Sequence, residues 1–325
     1  MLHRYLPSVV EHTPLSSLQA NDIEVVVADN GSTDNSLEVL EQFPSVRVIS
    51  FSNNYGFAEG YNRALSLIDS TYSVLLNSDV EVTEGWLTPL LDYMDAHPDV
   101  AACQPKIRSW LHKDRFEHAG AAGGMLDYLG YPYCRGRVFG KTETDKGQYD
   151  KITDVFWASG ACMCIRTASY KETGGLDAGF FAHMEEIDLC WRLLCRGQRV
   201  VCIPQSTVFH LGGGALNYEN PQKTYLNFRN NLLMLFKNLP DNRLRRVMFL
   251  RRWLDYMAAL QLLLTGKPRN AWAVCRARND FRKMLHSTSL QQKRLRNQKE
   301  AIVPYPAIIS RKSLFRIALL GKKNS

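Results

Sequence analysis

The chain has 325 residues, of which 45% are hydrophobic and 22% are charged. Such a composition supports a full α/β domain with a further segment, and it excludes both a disordered chain and a small disulfide framework. The net charge of +8 is unevenly spread, because residues 1–219 hold 17 Lys+Arg against 28 Asp+Glu, whereas residues 220–325 hold 23 against 4. We therefore expect two regions that meet near residue 216, namely 1–215 and 216–325.

A helical pattern occupies the first ten residues, and two strand-turn-helix units follow it. In the first unit a β-prone run ends at Asp29, after which Gly31 permits a close backbone approach and Ser32 can cap a helix. In the second unit a strand over residues 46–51 leads into a glycine-bearing loop and a helix, whose N-terminus can face a phosphate or a sugar. The candidate contacts there are Asn54, Gly56 and Asn62. Taken alone, either unit could be a plain strand-turn-helix.

A third apolar run, residues 72–76, ends in Asn77, Ser78 and Asp79. In an open α/β sheet these side chains would emerge at the carboxyl edge, where ligands bind. A divalent cation that serves a diphosphate needs only one or two carboxylates, because phosphates and water fill its other positions. Asp79 is our first candidate metal ligand, and His210, which ends another apolar run, is the second. The alternatives are a turn or cap for Asp79 and packing for His210.

Three carboxylates in four residues, Glu185, Glu186 and Asp188, begin a helical pattern. Capping of the first turn is one interpretation, because the helix dipole favours negative charge at that end. The other interpretation is that one of the three acts as a general base. Upstream of them, the glycine-bearing stretches 120–124 and 136–150 predict loops.

The eight cysteines lie in apolar or helical patterns and lack the Cys-x-x-Cys spacing of metal or redox motifs. A chain of this size also has no need of disulfide staples. We therefore expect reduced thiols and a cytosolic protein.

The basic tail shows helical spacing at Val247, Leu250, Leu254 and Met257. Its last stretch, residues 308–323, mixes apolar and cationic residues as interfacial membrane helices do, which predicts peripheral contact with an anionic membrane. The alternative is a solvated basic face on a helical cap. Nucleic acid is not expected as a partner, because no nucleic-acid-binding module accompanies the charge.

Six segments together resemble family 2 glycosyltransferases with the GT-A fold. They are DNGSTDNS (29–36), NNYGFAEGYNRAL (53–65), LLNSDVEV (75–82), SGACMCIR (159–166), GGLDAGFFAHMEEIDLCWR (174–192) and VFHLGGGAL (208–216). The resemblance spans about residues 5–235 and is nearest to bacterial rhamnosyltransferase-like and galactofuranosyltransferase-like enzymes of surface polysaccharide synthesis. It implies an α/β, Rossmann-like, mostly parallel sheet flanked by helices, here with a basic helical C-terminal appendage.

The resemblance also implies roles for individual residues. Asp29 matches the aspartate that contacts the nucleotide base, and Asp79 matches the last acid of the metal-binding Asp-x-Asp motif, whose first acid is replaced by Asn77. Glu186 matches the catalytic aspartate, so it is our predicted base. Glu185 and Asp188 are predicted to be orienting or acceptor-contacting groups. The predicted nucleotide-sugar-binding residues are Asp29, Gly31, Ser32, Asn54, Gly56, Asn62 and Asn77.

What the resemblance implies chemically is an inverting transfer from a nucleotide-sugar donor to a glycan or lipid-linked acceptor. Glu186 would take the proton of an acceptor hydroxyl while that oxygen attacks the anomeric carbon. Mn²⁺ or Mg²⁺, held by Asp79 and His210, would stabilise the departing diphosphate. The expected location is cytoplasmic, peripheral at the inner face of the cell membrane.

The start of the chain departs from the family pattern. Family members open with an apolar strand, whereas residues 1–10 here predict a helix, so the first strand of the sheet is expected to be missing. Loss of a central strand would leave neighbouring ladder groups unpaired. Because nothing downstream departs in the same way, we expect a misassigned or truncated start, with 1–215 an N-terminally truncated catalytic domain. A relative that binds a nucleotide-sugar or glycan without turnover is the alternative function. A nucleotidyltransferase is disfavoured, because no Gly- and Lys/Arg-rich phosphate loop lies near the amino end.

Overall fold

The computed structural model describes residues 1–13, 23–138, 140–212 and 220–314. The helices in this part of the chain are α1 (Leu2–His12), α2 (Ser36–Leu40), α3 (Gly56–Ser66), α4 (Thr88–Ala96), α5 (Thr167–Glu172), α6 (Glu185–Cys195), α7 (Pro221–Asn238), α8 (Asp241–Leu264), α9 (Pro268–Met284) and α10 (Thr288–Glu300). The strands are β1 (Val26–Asp29), β2 (Arg47–Ser50), β3 (Tyr72–Leu76), β4 (Val80–Val82), β5 (Val100–Ser109), β6 (Gly124–Leu126), β7 (Pro132–Cys134), β8 (Arg137–Val138), β9 (Lys141–Thr142), β10 (Thr153–Asp154), β11 (Cys162–Arg166) and β12 (Arg199–His210).

The central sheet has the strand order β10-β12-β5-β11-β3, and β4 pairs with β12. β5 and β12 are parallel, and β11 is antiparallel to both β5 and β3. It follows that β3, β5 and β12 run in one direction. The predicted α/β class with a parallel-rich sheet is therefore confirmed, and β4, β10 and β11 are antiparallel additions to it.

β1 and β2 form a separate parallel pair. Within the described ranges, β1 pairs only with β2 and β3 pairs only with β11. The chain itself opens with α1, as the sequence predicts, and α1 packs against β4.

Two apolar clusters cover the two faces of the central sheet. Alternate strand residues point to opposite faces, so Met163 and Ile165 join the cluster that includes α6 and α7, whereas Cys162 and Cys164 join the cluster that includes α1 and α4. The result is the layered arrangement of helices on both sides of a sheet.

The segment between β5 and β11 contains more regular structure than the sequence predicts. Where its glycines predict loops, the structure has an antiparallel sheet of β6, β7, β8 and β9. These strands are only two or three residues long, too short for alternating hydrophobicity to identify them.

The C-terminal region is helical, as predicted, over its described part. α7 contributes Leu232 and Leu235 to the core cluster that it shares with α6, α9 packs against both α7 and α8, and α10 packs against α7. The predicted boundary between residues 215 and 216 lies outside the described residues, as does most of the predicted membrane segment at 308–323. In the part of the chain that the structure describes, no helix combines the length and apolarity that crossing a bilayer requires.

Candidate active site

The ends of two sheet strands bring Asp79 and His210 together. Asp79 lies in the short connection from β3 to β4, directly before β4, and the antiparallel pairing of β4 with β12 sets Val80 opposite His210. As a result, the Nε2 atom of His210 lies 3.0 Å from the Oδ1 atom of Asp79, and both side chains are buried. The two candidate metal ligands, 131 residues apart in sequence, thus share one site.

A second carboxylate lies behind His210. The Oε2 atom of Glu117 is 3.3 Å from His210 Nδ1, and Glu117 is buried. Burial alone would lower the pKa of His210, but hydrogen bonding to Asp79 and Glu117 outweighs it and raises that pKa to about 9. Burial likewise opposes ionisation of both carboxyls, yet His210 holds the pKa of Asp79 and of Glu117 below the ordinary value.

This donor set fits a hard divalent cation whose remaining ligands come from a diphosphate. A histidine that contacts a carboxylate through its far nitrogen is the usual arrangement at metal sites, because the carboxylate fixes the ring and raises its basicity. Within the described ranges no group of three or more His, Cys, Asp or Glu forms a complete metal cage. Metal binding at Asp79 and His210 would displace the proton that they share.

The carboxylate cluster lies at the start of α6. Glu185 is buried, and both burial and the neighbouring charge of Glu186 raise its pKa well above the ordinary value. Burial also raises the pKa of Glu186, in its case to about 7. The Oε2 atom of Glu186 is buried and has no hydrogen-bond partner among the described residues. Two adjacent carboxyls with separated pKa values can play different roles, one neutral and one titrating near neutrality.

Glu186 lies on the same edge of the sheet as the Asp79–His210 pair. A Cβ atom placed on Gly160 would lie 3.9 Å from the Cβ of Glu186. The next residue, Ala161, accepts a hydrogen bond from the backbone N–H of Asn77 through its carbonyl. The loop before β11 therefore connects the predicted base to the predicted metal-binding segment.

The turn that precedes α6 has a strained backbone. Phe181, His183 and Met184 have φ of 65°, 71° and 75°, values that non-glycine residues seldom adopt. The Nδ2 group of Asn230 in α7 donates to the carbonyls of Phe180, Ala182 and His183 at 2.8 to 3.0 Å. Strained turns persist where their surroundings hold them, and they cluster at functional sites.

The predicted nucleotide segment forms a compact pair of loops. Asp29 is buried and its Oδ1 accepts the backbone N–H of Ser32. Gly31 has φ of 74°, and a Cβ there would meet the backbone of Asn53 at 2.8 Å. Asn54 Oδ1 accepts the N–H of Gly56. The loops that follow β1 and β2 are thus in contact, so both can contact the same ligand.

Two further predicted residues, Asn62 and Asp188, are engaged in holding the fold. Asn62 donates to the carbonyl of Leu176 and accepts from the hydroxyl of Tyr170. Asp188 is fully buried, and its carboxylate accepts from Arg192, Lys237 and Asn238. The predicted roles of both residues at the donor or acceptor remain predictions, and these contacts indicate positioning of the site.

Three residues at this site were not predicted from the sequence: Glu117, Gly160 and Asn230. Glu117 precedes a histidine in a loop, and Asn230 is one of two adjacent asparagines in an amphipathic helix. Neither lies in a pattern that indicates chemistry. The segment SGACMCIR does carry Gly160, but its spacing does not show that this glycine lies beside Glu186.

Comparison with known proteins adds a family match and several similar chains. Residues 1–173 match the family model described as glycosyl transferase family 2. The chain is 28% identical over 225 residues to an N-acetylglucosaminyl-diphospho-decaprenol L-rhamnosyltransferase of Mycobacterium tuberculosis, covering 64% of this chain and 71% of that protein. It is 23% identical over 239 residues to rhamnosyltransferase WbbL of Escherichia coli, covering 71% and 88%.

Among solved structures, the fold is similar to that of GalNAc-T7, crystallised with UDP, GalNAc and Mn²⁺. The TM-score is 0.56 at 15% sequence identity, and the match covers 93% of this chain. It covers 55% of GalNAc-T7, so this chain spans about half the length of that protein. At this identity the likeness concerns the fold alone.

Proposed function

The chain belongs to glycosyl transferase family 2, and from that premise we propose that it moves a sugar, with inversion, from a nucleotide-sugar donor to a hydroxyl of a glycan or lipid-linked acceptor in surface polysaccharide synthesis. The observation that carries the proposal is the position of Glu186. Its buried oxygen has no partner among the described residues, and it lies across Gly160 from the segment that leads to Asp79 and His210.

In the proposed reaction Glu186 accepts the proton of the acceptor hydroxyl while that oxygen attacks the anomeric carbon. The bond from the anomeric carbon to the diphosphate oxygen breaks as the new glycosidic bond forms, which inverts the anomeric centre. A pKa of about 7 suits this role, because about half of the carboxyl is ionised at pH 7 and the carboxylate is basic enough to take a proton. Burial and the charge of Glu186 raise the pKa of Glu185, which favours its neutral form.

Asp79 and His210 are proposed to hold Mn²⁺ or Mg²⁺ together with the donor diphosphate. When bound, the cation would neutralise the charge that develops on the departing diphosphate. Glu117 fixes the ring of His210 from the opposite side. The backbone N–H groups and glycines of the Asp29 and Asn54 loops supply the close approach that a nucleotide-sugar requires.

Two features support a lipid-linked acceptor over a free glycan. One is the rhamnosyltransferase relative whose printed name includes a diphospho-decaprenol. The other is the charge of the chain, with 23 Lys+Arg against 4 Asp+Glu beyond residue 219, because each basic residue near an anionic leaflet contributes about 1 kcal/mol. We accordingly propose a peripheral position at the cytoplasmic face of the cell membrane.

The test is hydrolysis and transfer with a panel of nucleotide-sugars, with and without Mn²⁺, for the parent chain, Asp79→Ala and Glu186→Gln. We expect the parent chain to turn over at least one donor in a metal-dependent way. Asp79→Ala should lose this metal-dependent activity, and Glu186→Gln should bind the donor without turning it over. Donor binding by a parent chain that turns over none of the panel would instead support the non-catalytic alternative.

A further inference from the structure

The longest helix of the structure, α8, exposes large apolar side chains on its outer side and buries a charged pair on its inner side. Its buried positions recur every four residues and are Val247, Arg251, Asp255 and Ala259. Arg251 forms an ion pair with Asp255, which also pairs with Arg278 of α9. This order is the reverse of a surface helix, whose apolar stripe normally faces the core.

The outer side carries seven large exposed apolar residues, which we name the α8 face. Four of them lie along one line of the helix at intervals of three or four residues and are between 56% and 78% exposed: Trp253, Met257, Leu260 and Leu264. The complete α8 face is Phe249, Trp253, Tyr256, Met257, Leu260, Leu263 and Leu264. Trp272, in the first turns of α9, is 70% exposed as well.

The extent of the α8 face exceeds what a monomeric surface normally shows. At about 100 Å² of exposed surface per side chain, the seven residues offer roughly 700 Å², compared with roughly 300 to 600 Å² for the largest apolar patch of a typical monomer. Isolated apolar residues on a surface need no explanation. A continuous face of this size on one helix indicates a binding surface.

The charges around the α8 face have one sign. Arg245, Arg246 and Arg252 lie exposed on α8, and Lys267 and Arg269 lie exposed just beyond its end. The two acids of α8 are elsewhere, because Asp241 pairs with Arg294 and Asp255 is buried. A twofold contact between two copies of this face would bring like charges together, whereas anionic lipid headgroups would complement them.

We propose that the α8 face is the membrane-docking surface of this protein, with its apolar side chains at the acyl boundary of an anionic bilayer and its arginines at the headgroups. Interfacial helices have this combination of an apolar side with large side chains and cationic flanks, and tryptophan is enriched at the membrane interface. The residues of the α8 face lie upstream of the 308–323 segment.

The buried side of α8 connects this surface to the candidate active site. Arg251 hydrogen-bonds to the side chain of Asn231 in α7 and to the carbonyl of Leu129. Asn230, which precedes Asn231 in α7, donates hydrogen bonds to the turn that leads to Glu185 and Glu186. Docking through α8 would therefore fix the orientation of the predicted base relative to the bilayer, which deepens the proposed transfer to a lipid-linked acceptor.

The experiment is flotation of the purified full chain with vesicles of phosphatidylcholine alone and of phosphatidylcholine mixed with phosphatidylglycerol. It needs no donor or metal, so its outcome is independent of the proposed catalysis. We expect binding to the anionic vesicles, weakened on the order of tenfold or more by Trp253→Gln with Leu260→Gln. The matched control is Leu67→Gln with Leu111→Gln, which removes equally exposed apolar residues elsewhere and should leave binding unchanged.

Two further variants separate the apolar and electrostatic parts. Arg245→Gln with Arg246→Gln should reduce the preference for anionic vesicles, whereas Lys146→Gln with Lys151→Gln, which removes two exposed charges of the catalytic part, should not. Brominated lipids should quench tryptophan fluorescence of the parent chain more than that of Trp253→Phe. Equal vesicle binding by the parent and the α8 variants would overturn the proposal. So would a parent chain that binds no vesicles and forms a dimer in solution, if the α8 variants are monomers.

Discussion

At the scale of single residues, the site depends on two adjacent glutamates in different environments. Glu185 is buried, and burial together with the charge of its neighbour raises its pKa well above the ordinary value, whereas burial raises the pKa of Glu186 to about 7. The sequence predicts an acidic cluster with Glu186 as base, but it cannot show this separation. Burial raises the pKa of both carboxyls; the charge of Glu186 raises that of Glu185 further, whereas backbone hydrogen bonds at the start of α6 partly offset the burial of Glu186.

Replacing each glutamate by glutamine should distinguish them. Glu186→Gln removes the proposed base and should lower kcat/KM by about 10² to 10⁴, with donor affinity unchanged. Glu185→Gln resembles the protonated form that the native residue already has, so its effect should stay within about threefold. The measurement is steady-state transfer together with donor binding by calorimetry. Equal losses in both variants would contradict the assignment of the base.

The raised pKa of Glu186 predicts opposite pH dependences for activity and stability. Ionised base accumulates as pH rises to about 7, so kcat/KM should increase up to that pH and level off above it. The folded carboxyl binds its proton more tightly than the unfolded one, so the free energy of unfolding should fall between the ordinary glutamate pKa and about 7.

Glu186→Gln tests the stability half of this prediction, because it cannot ionise. Its unfolding free energy should exceed that of the parent by about 3 kcal/mol above pH 7, with the difference vanishing at pH 4. Urea titrations at several pH values measure this. A difference that does not change with pH would mean that burial does not perturb Glu186.

At the scale of elements, the strained turn before α6 depends on one side chain of α7. Asn230 occupies all its donor capacity on three carbonyls of that turn. Asn230→Ala should cost about 1 to 3 kcal/mol of unfolding free energy and should also lower kcat, because Glu186 follows the turn directly. Thermal unfolding and turnover number are the measurements, with the exposed Asn242→Ala as control.

A second substitution makes this prediction sharper. Met184 has φ of 75°, which glycine adopts without strain. Met184→Gly in the Asn230→Ala background should restore part of the lost stability, by about 1 kcal/mol. If turnover is unaffected by Asn230→Ala while stability falls, the turn supports the fold only.

The sequence predicts α8 as a helix, but it gives no prediction of which side faces the core. Apolar spacing at Val247, Leu250, Leu254 and Met257 indicates a helix, and the helix is there. Of these residues Val247 is buried, whereas Met257 is 65% exposed. Periodicity identifies an apolar side but not what that side contacts. Here the inner side of α8 has a polar partner on α7, Asn231, and a charged partner on α9, Arg278.

At the scale of the whole molecule, a buried ionic network connects the two regions of different charge. Lys237 of α7 pairs with Asp177 and Asp188, and Lys293 of α10 also pairs with Asp177. The coulombic effect of the two lysines outweighs burial and lowers the pKa of Asp177. The acidic excess of residues 1–219 and the basic excess beyond it are partly balanced at this contact.

Removing the lysine at the centre of this network should destabilise the whole chain. Lys237→Met removes the cation that the two buried carboxylates share, which leaves Asp177 with Lys293 and Asp188 with Arg192. The loss of this buried partner should cost up to about 3 to 5 kcal/mol. Lys283→Met breaks an exposed pair with Asp280, for which about 0 to 1 kcal/mol is expected. Chemical denaturation of both variants gives the comparison. Similar losses of unfolding free energy in the two variants would show that the buried network does not stabilise the contact between the two regions.

The sequence predicted the class of the fold, the order of its motifs and the pairing of Asp79 with His210 at one site. Each of these depends on local patterns or on the strand ends of an α/β sheet. It could not predict Glu117, Asn230 or the buried network, because these contacts join residues far apart in sequence through side chains with no local signal.

The cysteines of the structure offer a practical consequence for labelling. All eight are free thiols, and seven of them are buried, whereas Cys275 in α9 is partly exposed. Burial raises the pKa of Cys190 and Cys202 to about 12, and alkylating reagents react with the thiolate. The native chain therefore presents one preferred position for a fluorophore or spin label, on a helix that packs against α8, without any cysteine having to be removed.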